Sequence, residues 1–238
     1  VDDFNYNAAT RTYTLKEGVP NGTTIFGAPQ PGTIKLRDLN GDGQVRLEND
    51  RTVIGNANPT HIGGFNNQFS YKNFDASIFL NWVFGNSVYN ANKIEFTGGQ
   101  FTNLNMLEVM NDRWRTIDDK GVVVRDPAAL AALNANATIW QPITNNRPYL
   151  HSWAVEDGSF LRINNVTLGY SMPKEIIRRV KMQTARFYAT VNNLATLTGY
   201  SGFDPEVNVR RSNPLTPGVD FAAYPRARTF VFGVNLTF

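Results

Sequence analysis

Cysteine is absent from this 238-residue chain, so disulfide bonds and thiolate metal sites are excluded. Histidine is scarce, since His61 and His151 are the only two, and this argues against a multi-histidine zinc centre. Long apolar runs are missing as well: the longest clean run is Ala128–Leu133, whereas a transmembrane helix needs about 20 apolar residues. Membrane-crossing strands stay open, because their hydropathy signal is much weaker than that of helices.

The composition is that of a folded chain, with 42% hydrophobic and 18% charged residues. This is too apolar for intrinsic disorder and too low in charge for a coiled coil. The net charge is only +3, and much of the excess lies in one basic stretch beside Glu175. We find no base-reading motif around this stretch, so we expect a solvated basic turn and no nucleic-acid partner. Its cations are Lys174, Arg178, Arg179, Lys181 and Arg186.

Five stretches of the chain alternate apolar and polar residues with the period of a β-strand. The clearest is Phe74–Phe84, and a run that begins near His61 and ends at Tyr71 precedes it. Only Lys72-Asn73 separates these two runs, which predicts a tight hairpin. The remaining predicted strands are Ser159–Ser171, Ala185–Leu197 and Arg226–Phe238.

The predicted strands are long, and their connections alternate in length. At about 10–13 residues they exceed the five or six residues typical of globular sheets, and they match the roughly 9–11 residues that cross a bilayer core. Gly85–Gly158 and Thr198–Pro225 are long connections, whereas Lys72-Asn73 and Met172–Thr184 are short. Outer-membrane barrels share this asymmetry, with short periplasmic turns and long extracellular loops. The sequence therefore predicts membrane-crossing strands with their short connections in the periplasm.

Five strands cannot close a barrel, since the smallest types have about eight. An open sheet is not viable in lipid, because the polar groups along its edges would lack partners. We therefore expect the rest of the wall to lie outside this chain. Polar side chains such as Asp75, Asn81 and Arg162 are expected to face inward and line the lumen.

Several segments resemble the SusC/RagA-type TonB-dependent outer-membrane transporters. The resemblance covers nearly all of the chain from Gly32 onward, with the segments in the order found in that family. The segments are Asp38–Gly43 followed by Asp50–Gly55, Glu156–Tyr170, Ser201–Val207, and the ending from Tyr224 to Phe238.

The resemblance implies an all-β fold in which this chain supplies about five or six C-terminal strands of a large transmembrane antiparallel β-barrel. Barrels of this family have 22 strands and long extracellular loops. In this chain, residues 1–60 would form an extracellular loop region with an EF-hand-like loop at 38–50, and residues 61–238 would form barrel strands and loops.

The resemblance also implies a function and partners. It points to import of glycan oligomers, or of peptides in some members, across the outer membrane of a Bacteroidetes-type Gram-negative bacterium. The implied partners are a SusD-like surface lipoprotein that closes over the mouth, outer-membrane lipid, and the TonB–ExbB–ExbD complex. That complex would act on a plug and an N-terminal part upstream of this chain.

The loop that starts at Asp38 matches the first half of an EF-hand calcium loop, with oxygen-bearing residues at positions 1, 3 and 5 and glycine at position 6. The second half departs from that pattern, because Asn49 holds position 12 and Asp50 follows one place late. Either a bulge returns Asp50 to a bound Ca²⁺, or Asx turns alone fix the loop. The candidate calcium ligands are Asp38, Asn40, Asp42, Gln44 and Asp50.

Aromatic residues are concentrated in the long connection between the second and third predicted strands. Flat rings stack on sugars, so exposed ones are candidate contacts for a ligand or for the lid. The alternative is that they pack a small core within the connection itself. The candidates are Trp114, Trp140, Tyr149 and Trp153.

We expect no catalytic residues. Asp204 and Glu206 could be read as a carboxylate pair, but nothing places them across a glycosidic bond. The run Gly199–Phe203 lacks the last glycine of a nucleophile elbow and a positioned histidine.

The end of the chain carries a further motif. Gly233, Leu236 and Phe238 resemble the signal by which the outer-membrane assembly machinery recognises a final strand. One alternative to the transporter stays open at this point, namely a secreted or surface β-sandwich module that binds carbohydrate and has a calcium-stabilised loop.

Overall fold

The structure, a computed structural model, describes residues 1–99, 103–142, 150–209 and 216–238. The chain forms two compact units by its internal contacts. Unit 1 comprises Val1–Val53 and Asn92–Leu150, and unit 2 comprises Ile54–Ala91 and His151–Phe238.

Unit 1 contains short elements. The strands β1 (Phe4–Asn7) and β2 (Thr12–Leu15) form an antiparallel pair. The helical elements that follow are α1 (Thr23–Phe26), α2 (Ala91–Glu95), a 3₁₀ turn (Glu108–Asp112) and α3 (Pro127–Leu133).

The helix α3 forms in the alanine-rich run that starts at Ala128, since alanine has the highest helix propensity. Asp126 caps its first turn by accepting a hydrogen bond from the Ala129 N–H at 3.0 Å, and Pro127 occupies the first turn, where no N–H is needed. The buried Leu130 points into the unit. Asn134 ends the helix. Its side-chain oxygen accepts a hydrogen bond from the Arg115 N–H at 2.6 Å, and its side-chain NH₂ donates to the Arg115 carbonyl at 2.8 Å.

Unit 2 is built around a five-stranded antiparallel sheet. Its strands are β3 (His61–Tyr71), β4 (Phe74–Phe84), β7 (Phe160–Ser171), β8 (Thr184–Thr198) and β10 (Thr229–Thr237), in the spatial order β10-β8-β7-β4-β3. A three-stranded sheet is formed by β5 (Ser87–Asn90), β6 (Val155–Asp157) and β9 (Val219–Asp220). The helical turns are Ser152–Ala154, α4 (Lys174–Ile177) and Arg178–Val180.

The five long strands confirm the five predicted from alternation. The predicted hairpin at Lys72-Asn73 is present, since Tyr71 pairs with Phe74 across it. The turn requires Lys72 to adopt a positive φ of 52°, which is uncommon for a residue with a side chain. A bulge between Ile163 and Asn165 shifts the register of β7 and keeps its polar residues on one face along the whole strand.

The sheet has one apolar and one polar face. Because paired residues on neighbouring strands lie on the same face, the register joins side chains into rows across the sheet. One polar row is Gln68, Ser77, Thr167 and Thr190. One apolar row is Tyr71, Phe74, Tyr170, Phe187 and Val234.

The apolar face is uncovered over much of its area. Phe232 is 79% exposed and Tyr71 is 71% exposed, and other large side chains on this face are about half exposed. In a β-sandwich such a face would pack against a second sheet to form the core. Within unit 2 the apolar face remains open, so the structure does not support the β-sandwich alternative.

The connections sort to the two ends of the sheet as the sequence predicts. At one end lie the Lys72-Asn73 hairpin and the compact β7–β8 connection. The two are joined by a hydrogen bond of 2.8 Å from the Ser171 N–H to the Asn73 carbonyl. The β7–β8 connection is compact because it is folded into the helical turn α4 and the 3₁₀ turn after it. The long connections leave from the opposite end, which we call the loop end. No helix in the described ranges is long and apolar enough to cross a membrane.

Candidate functional site

The polar face of the sheet is held together by side-chain hydrogen bonds between strands. Thr167 and Thr190 share a bond at 2.8 Å, and Asn165 donates to Asn192 at 2.7 Å. Asn81 accepts a bond from Asn164 at 2.8 Å. These pairs leave the face polar while fixing the strands to one another.

An ion pair spans three strands near the short-connection end. Arg186 on β8 binds Asp75 on β4 through two parallel hydrogen bonds, one of them 3.0 Å long. The pair passes directly over Gly169 on β7, where a Cβ atom would lie 2.4 Å from both partners. Glycine is therefore required at this position for the two charged groups to meet.

Arg162 is the most deeply buried charged residue on the polar face. It lies on that face as predicted, but it is 0% exposed and lines no open surface. Its guanidinium donates to Asp204, to Glu206 at 3.0 Å and to the Thr196 hydroxyl at 3.1 Å, and it lies 5.0 Å from the centre of the Phe160 ring.

The two carboxylates come from the connection after β8 and have a second cation. Arg226 binds Glu206 at 2.9 Å and approaches Asp204 at 3.9 Å. Two arginines therefore match two acids, which stabilises charges that burial alone would penalise. Asp204 and Glu206 serve as anchors for the connection, and their oxygens are engaged by arginines.

A second polar cluster fixes the same connection at the loop end. The Tyr200 hydroxyl donates to Asp220 at 2.7 Å, and both residues are buried. Glu156 on β6 accepts hydrogen bonds from the Ser201 hydroxyl at 2.8 Å and the Ser201 N–H at 2.9 Å. Burial, followed by the hydrogen bond to Asp220, raises the pKa of Tyr200 well above its ordinary value.

Together these clusters hold the described parts of the β8–β10 connection on the sheet. An open cleft of about 500 Å³ lies beside them, lined in part by Glu206, Tyr224 and Arg226. The sequence pattern does not predict that Arg162 and Arg226 meet Asp204 and Glu206. One feature of the sequence is compatible with this arrangement. Arg162 is a charged residue at a polar-face position of β7, and the downstream run Asp204-Pro205-Glu206 supplies acidic side chains that can pair with it.

The EF-hand-like loop in unit 1 is closed by hydrogen bonds from backbone N–H groups to acidic side chains. Asp38 accepts bonds from the N–H groups of Gly41 and Gly43, both at 2.8 Å. Asp50 returns to the start of the loop and accepts bonds from the N–H groups of Leu39 and Arg46, both at 2.7 Å. These bonds hold the pKa of Asp50 below its usual range.

The loop therefore contains both features that the sequence left open. The extra residue is accommodated, since Asp50 reaches the first turn, and the turns at Asn40 and Asp42 are Asx turns. Among the residues that the structure describes, no group of three or more His, Asp or Glu side chains is arranged to hold a metal ion. Both carboxylate oxygens of Asp38 and of Asp50 are already occupied by N–H groups, so calcium binding stays a prediction.

The aromatic candidates are distributed over both units. Trp114 and Trp140 belong to unit 1, Trp153 belongs to unit 2, and Tyr149 lies outside the described residues. Trp114 is partly buried and packs on Gly32, where a Cβ atom would lie 2.1 Å from its ring. Trp153 stacks on His151 with ring centres 6.3 Å apart. Trp114 thus has a packing role within its own unit.

The three residues of the assembly motif have different surroundings. Gly233 pairs with Tyr188, whose ring lies over it, so that a Cβ atom would be only 2.2 Å from the ring. Leu236 and Phe238 are on the apolar side of the last strand and are 49% and 77% exposed. The position of the Tyr188 ring therefore explains why residue 233 is a glycine, and the recognition of the motif by the assembly machinery stays a prediction.

Comparison with known proteins finds similarity to TonB-dependent receptors. No family model matches the chain. It is 32% identical over 224 residues to TonB-dependent receptor P3 of Formosa agariphila, covering 92% of this chain and 20% of the relative. It is 30% identical over 210 residues to TonB-dependent receptor SusC of Bacteroides thetaiotaomicron, covering 84% of this chain and 17% of the relative. The chain thus spans about a fifth of the length of these relatives.

Solved structures show the same relationship. The RagAB peptide importer in the "open-open" state matches with a TM-score of 0.61 and 25% identity, over 82% of this chain and 19% of that chain. A second structure, of the RagAB peptide transporter, matches in fold with a TM-score of 0.62 over 84% of this chain. The long two-faced strands, their asymmetric connections and these relatives agree. The chain belongs to the SusC/RagA-type TonB-dependent receptors, of which it forms one part.

Proposed function

We propose that this chain forms part of the wall and the extracellular loops of an outer-membrane nutrient importer of a Bacteroidetes-type Gram-negative bacterium. The observation that carries the proposal is the five-stranded sheet of unit 2, with an uncovered apolar face, a hydrogen-bonded polar face and all long connections at one end. Lipid accepts a continuous apolar surface, and a transport lumen needs a polar one. In this proposal the polar face of the sheet lines the transport lumen, the apolar face contacts lipid, and the long connections contact the substrate or the lid.

The wall needs more strands than this chain has. In the described sheet, β3 and β10 each have one neighbour, and unpaired strand edges are not tolerated in lipid. The rest of the receptor would supply the missing strands of a barrel of about 22. Energy from the TonB–ExbB–ExbD complex would act on a plug in that remaining part.

The substrate and the lid belong to the same proposal. We favour glycan oligomers, which the sequence resemblance to the SusC/RagA family implies, with peptides as the second class because RagAB is named as a peptide importer. A SusD-like lipoprotein would close over the extracellular loops, and Trp114, Trp140, Tyr149 and Trp153 stay the candidate contacts for ligand or lid.

The test uses the full-length receptor expressed together with its SusD-like lipoprotein. We expect the receptor to fractionate with the outer membrane, to co-purify with the lipoprotein, and to support TonB-dependent growth on a glycan or a peptide panel. A substitution in the TonB-contacting segment is the control, and it should abolish uptake while leaving assembly intact. Recovery of the receptor in the soluble fraction would contradict the proposal.

We further propose Ca²⁺ as a ligand of the 38–50 loop, supported by the three candidate carboxylate ligands Asp38, Asp42 and Asp50 and by the return of Asp50 to the start of the loop. Calorimetric titration of the full-length receptor with Ca²⁺ should give a one-to-one binding heat that is lost in Asp50→Asn. Parallel titration with Mg²⁺, which prefers rigid octahedral sites, is the control. The absence of heat at millimolar Ca²⁺ would leave the Asx turns as the whole explanation of the loop.

A further inference from the structure

The short-connection end of the sheet carries an unusual concentration of positive charge. Four cations lie on the β7–β8 connection and one on the hairpin beside it, and all five side chains are exposed. We call this group the cationic rim. It consists of Lys72, Lys174, Arg178, Arg179 and Lys181.

The cations of the rim have no ion-pair partners in the described residues, whereas other arginines of unit 2 do. Arg162 and Arg226 bind Asp204 and Glu206 at the loop end, and Arg186 binds Asp75. Glu175 is the one acidic residue within the connection. The rim is therefore a field of exposed positive charge that the protein itself does not neutralise.

The rim adjoins the boundary of the apolar face. The last apolar row at this end includes Tyr71, Phe74 and Tyr170, and Lys72 lies 5.3 Å from the centre of the Tyr71 ring. Aromatic rows of this kind occupy the level of the lipid headgroups in membrane barrels. The rim follows this row directly, because the hairpin and the β7–β8 connection are joined by the bond between Asn73 and Ser171.

The connection also has an apolar side chain at its surface. Ile176 on α4 is 47% exposed, although the neighbouring Ile177 is buried. Exposed apolar groups among cations favour an anionic lipid surface over nucleic acid or an acidic protein, because only the lipid surface offers both phosphate charge and an apolar interior.

We propose that the cationic rim binds the anionic headgroups of phospholipids in the periplasmic leaflet of the outer membrane. The inference rests on the proposed function, which places this end of the sheet in the periplasm. The cations would draw phosphate oxygens to the level of the aromatic row, and they would fix the depth of the wall in the bilayer.

The experiment compares the lipid preference of three full-length receptors. The first is the parent, and the second carries Lys174→Gln, Arg178→Gln, Arg179→Gln and Lys181→Gln. The third is a matched control that loses the same charge from exposed positions of unit 1, through Lys16→Gln, Arg37→Gln, Arg51→Gln and Lys120→Gln. Each is reconstituted in vesicles of equal phosphatidylglycerol and phosphatidylcholine, re-extracted, and its retained lipids are counted by mass spectrometry.

We expect the parent and the control to enrich phosphatidylglycerol, and the rim variant to lose about tenfold of that enrichment, since each cation near an anionic surface adds to the attraction. The enrichment of the parent should also fall at high salt. Equal enrichment in all three receptors would overturn the inference. Outer-membrane fractionation and uptake by the parent are measured in parallel, so that a failure of the proposed function is recognised separately from a failure of the lipid site.

Discussion

We expect an Arg162→Met receptor to lose about 3–5 kcal/mol of its free energy of unfolding, which is the cost of leaving a buried carboxylate without its cation. In this variant Asp204, whose side chain is 8% exposed, would keep the hydrogen bond from the Glu206 N–H at 2.9 Å, but its remaining cation in the described residues would be the distant Arg226 at 3.9 Å. Methionine fills most of the volume of the arginine stem, so the loss would come chiefly from the charge. Thermal unfolding of the full-length receptor in detergent measures the effect.

The same network provides its own controls. Arg226→Met removes a cation that is 47% exposed, and we expect a loss below about 1 kcal/mol. The double variant Arg162→Met with Asp204→Leu should recover part of the stability, because a buried ion pair can be replaced by apolar side chains. A loss for Arg162→Met no larger than that for Arg226→Met would show that the buried network does not anchor the connection.

Tyr200→Phe should destabilise the receptor by about 1–3 kcal/mol, because Asp220 is buried and loses its 2.7 Å hydrogen bond. Its other described bond, from the Ala223 N–H, is long at 3.4 Å. The matched control is Tyr224→Phe, since Tyr224 is 92% exposed, and we expect a change within about 0.5 kcal/mol.

The tyrosine also predicts a dependence of stability on alkaline pH. The folded protein raises the pKa of Tyr200, through burial first and then through Asp220, so the neutral phenol is favoured in the folded state. Its contribution is fully present below the unfolded pKa of about 10 and is lost as the pH rises toward the higher folded value. Thermal midpoints measured from pH 8 to 11 should fall more steeply above pH 10 for the parent than for Tyr200→Phe. Parallel curves would contradict this role of Tyr200.

The alternation of apolar and polar residues along the chain was sufficient to predict the five long strands of the sheet in unit 2. A strand shows alternate residues on opposite faces, so Phe74–Phe84 and the four other stretches carry their two-faced character in the sequence itself. The hairpin at Lys72-Asn73 followed from spacing, and the end at which each connection lies followed from antiparallel pairing. These features depend on neighbours in sequence or on one partner strand, and the structure confirms them.

The packing of the loops could not be predicted in this way. Leu104–Arg115 has a helical pattern, yet only the 3₁₀ turn Glu108–Asp112 forms there. The residues around this turn bond elsewhere: the Leu107 N–H binds the Phe96 carbonyl, and the Trp114 N–H binds the Ile139 carbonyl. Local propensity was overridden by partners that are distant in sequence.

By itself, the sequence determined the strands, their two faces, their order of short and long connections and the family to which the chain belongs. Only the tertiary structure decided that Arg162 meets Asp204 and Glu206, and that Asp75 reaches Arg186 across Gly169. The physical reason is the range of the interactions. Alternation is a property of adjacent residues, whereas an ion pair between residues 42 or 111 positions apart depends on how the intervening chain folds back on the sheet.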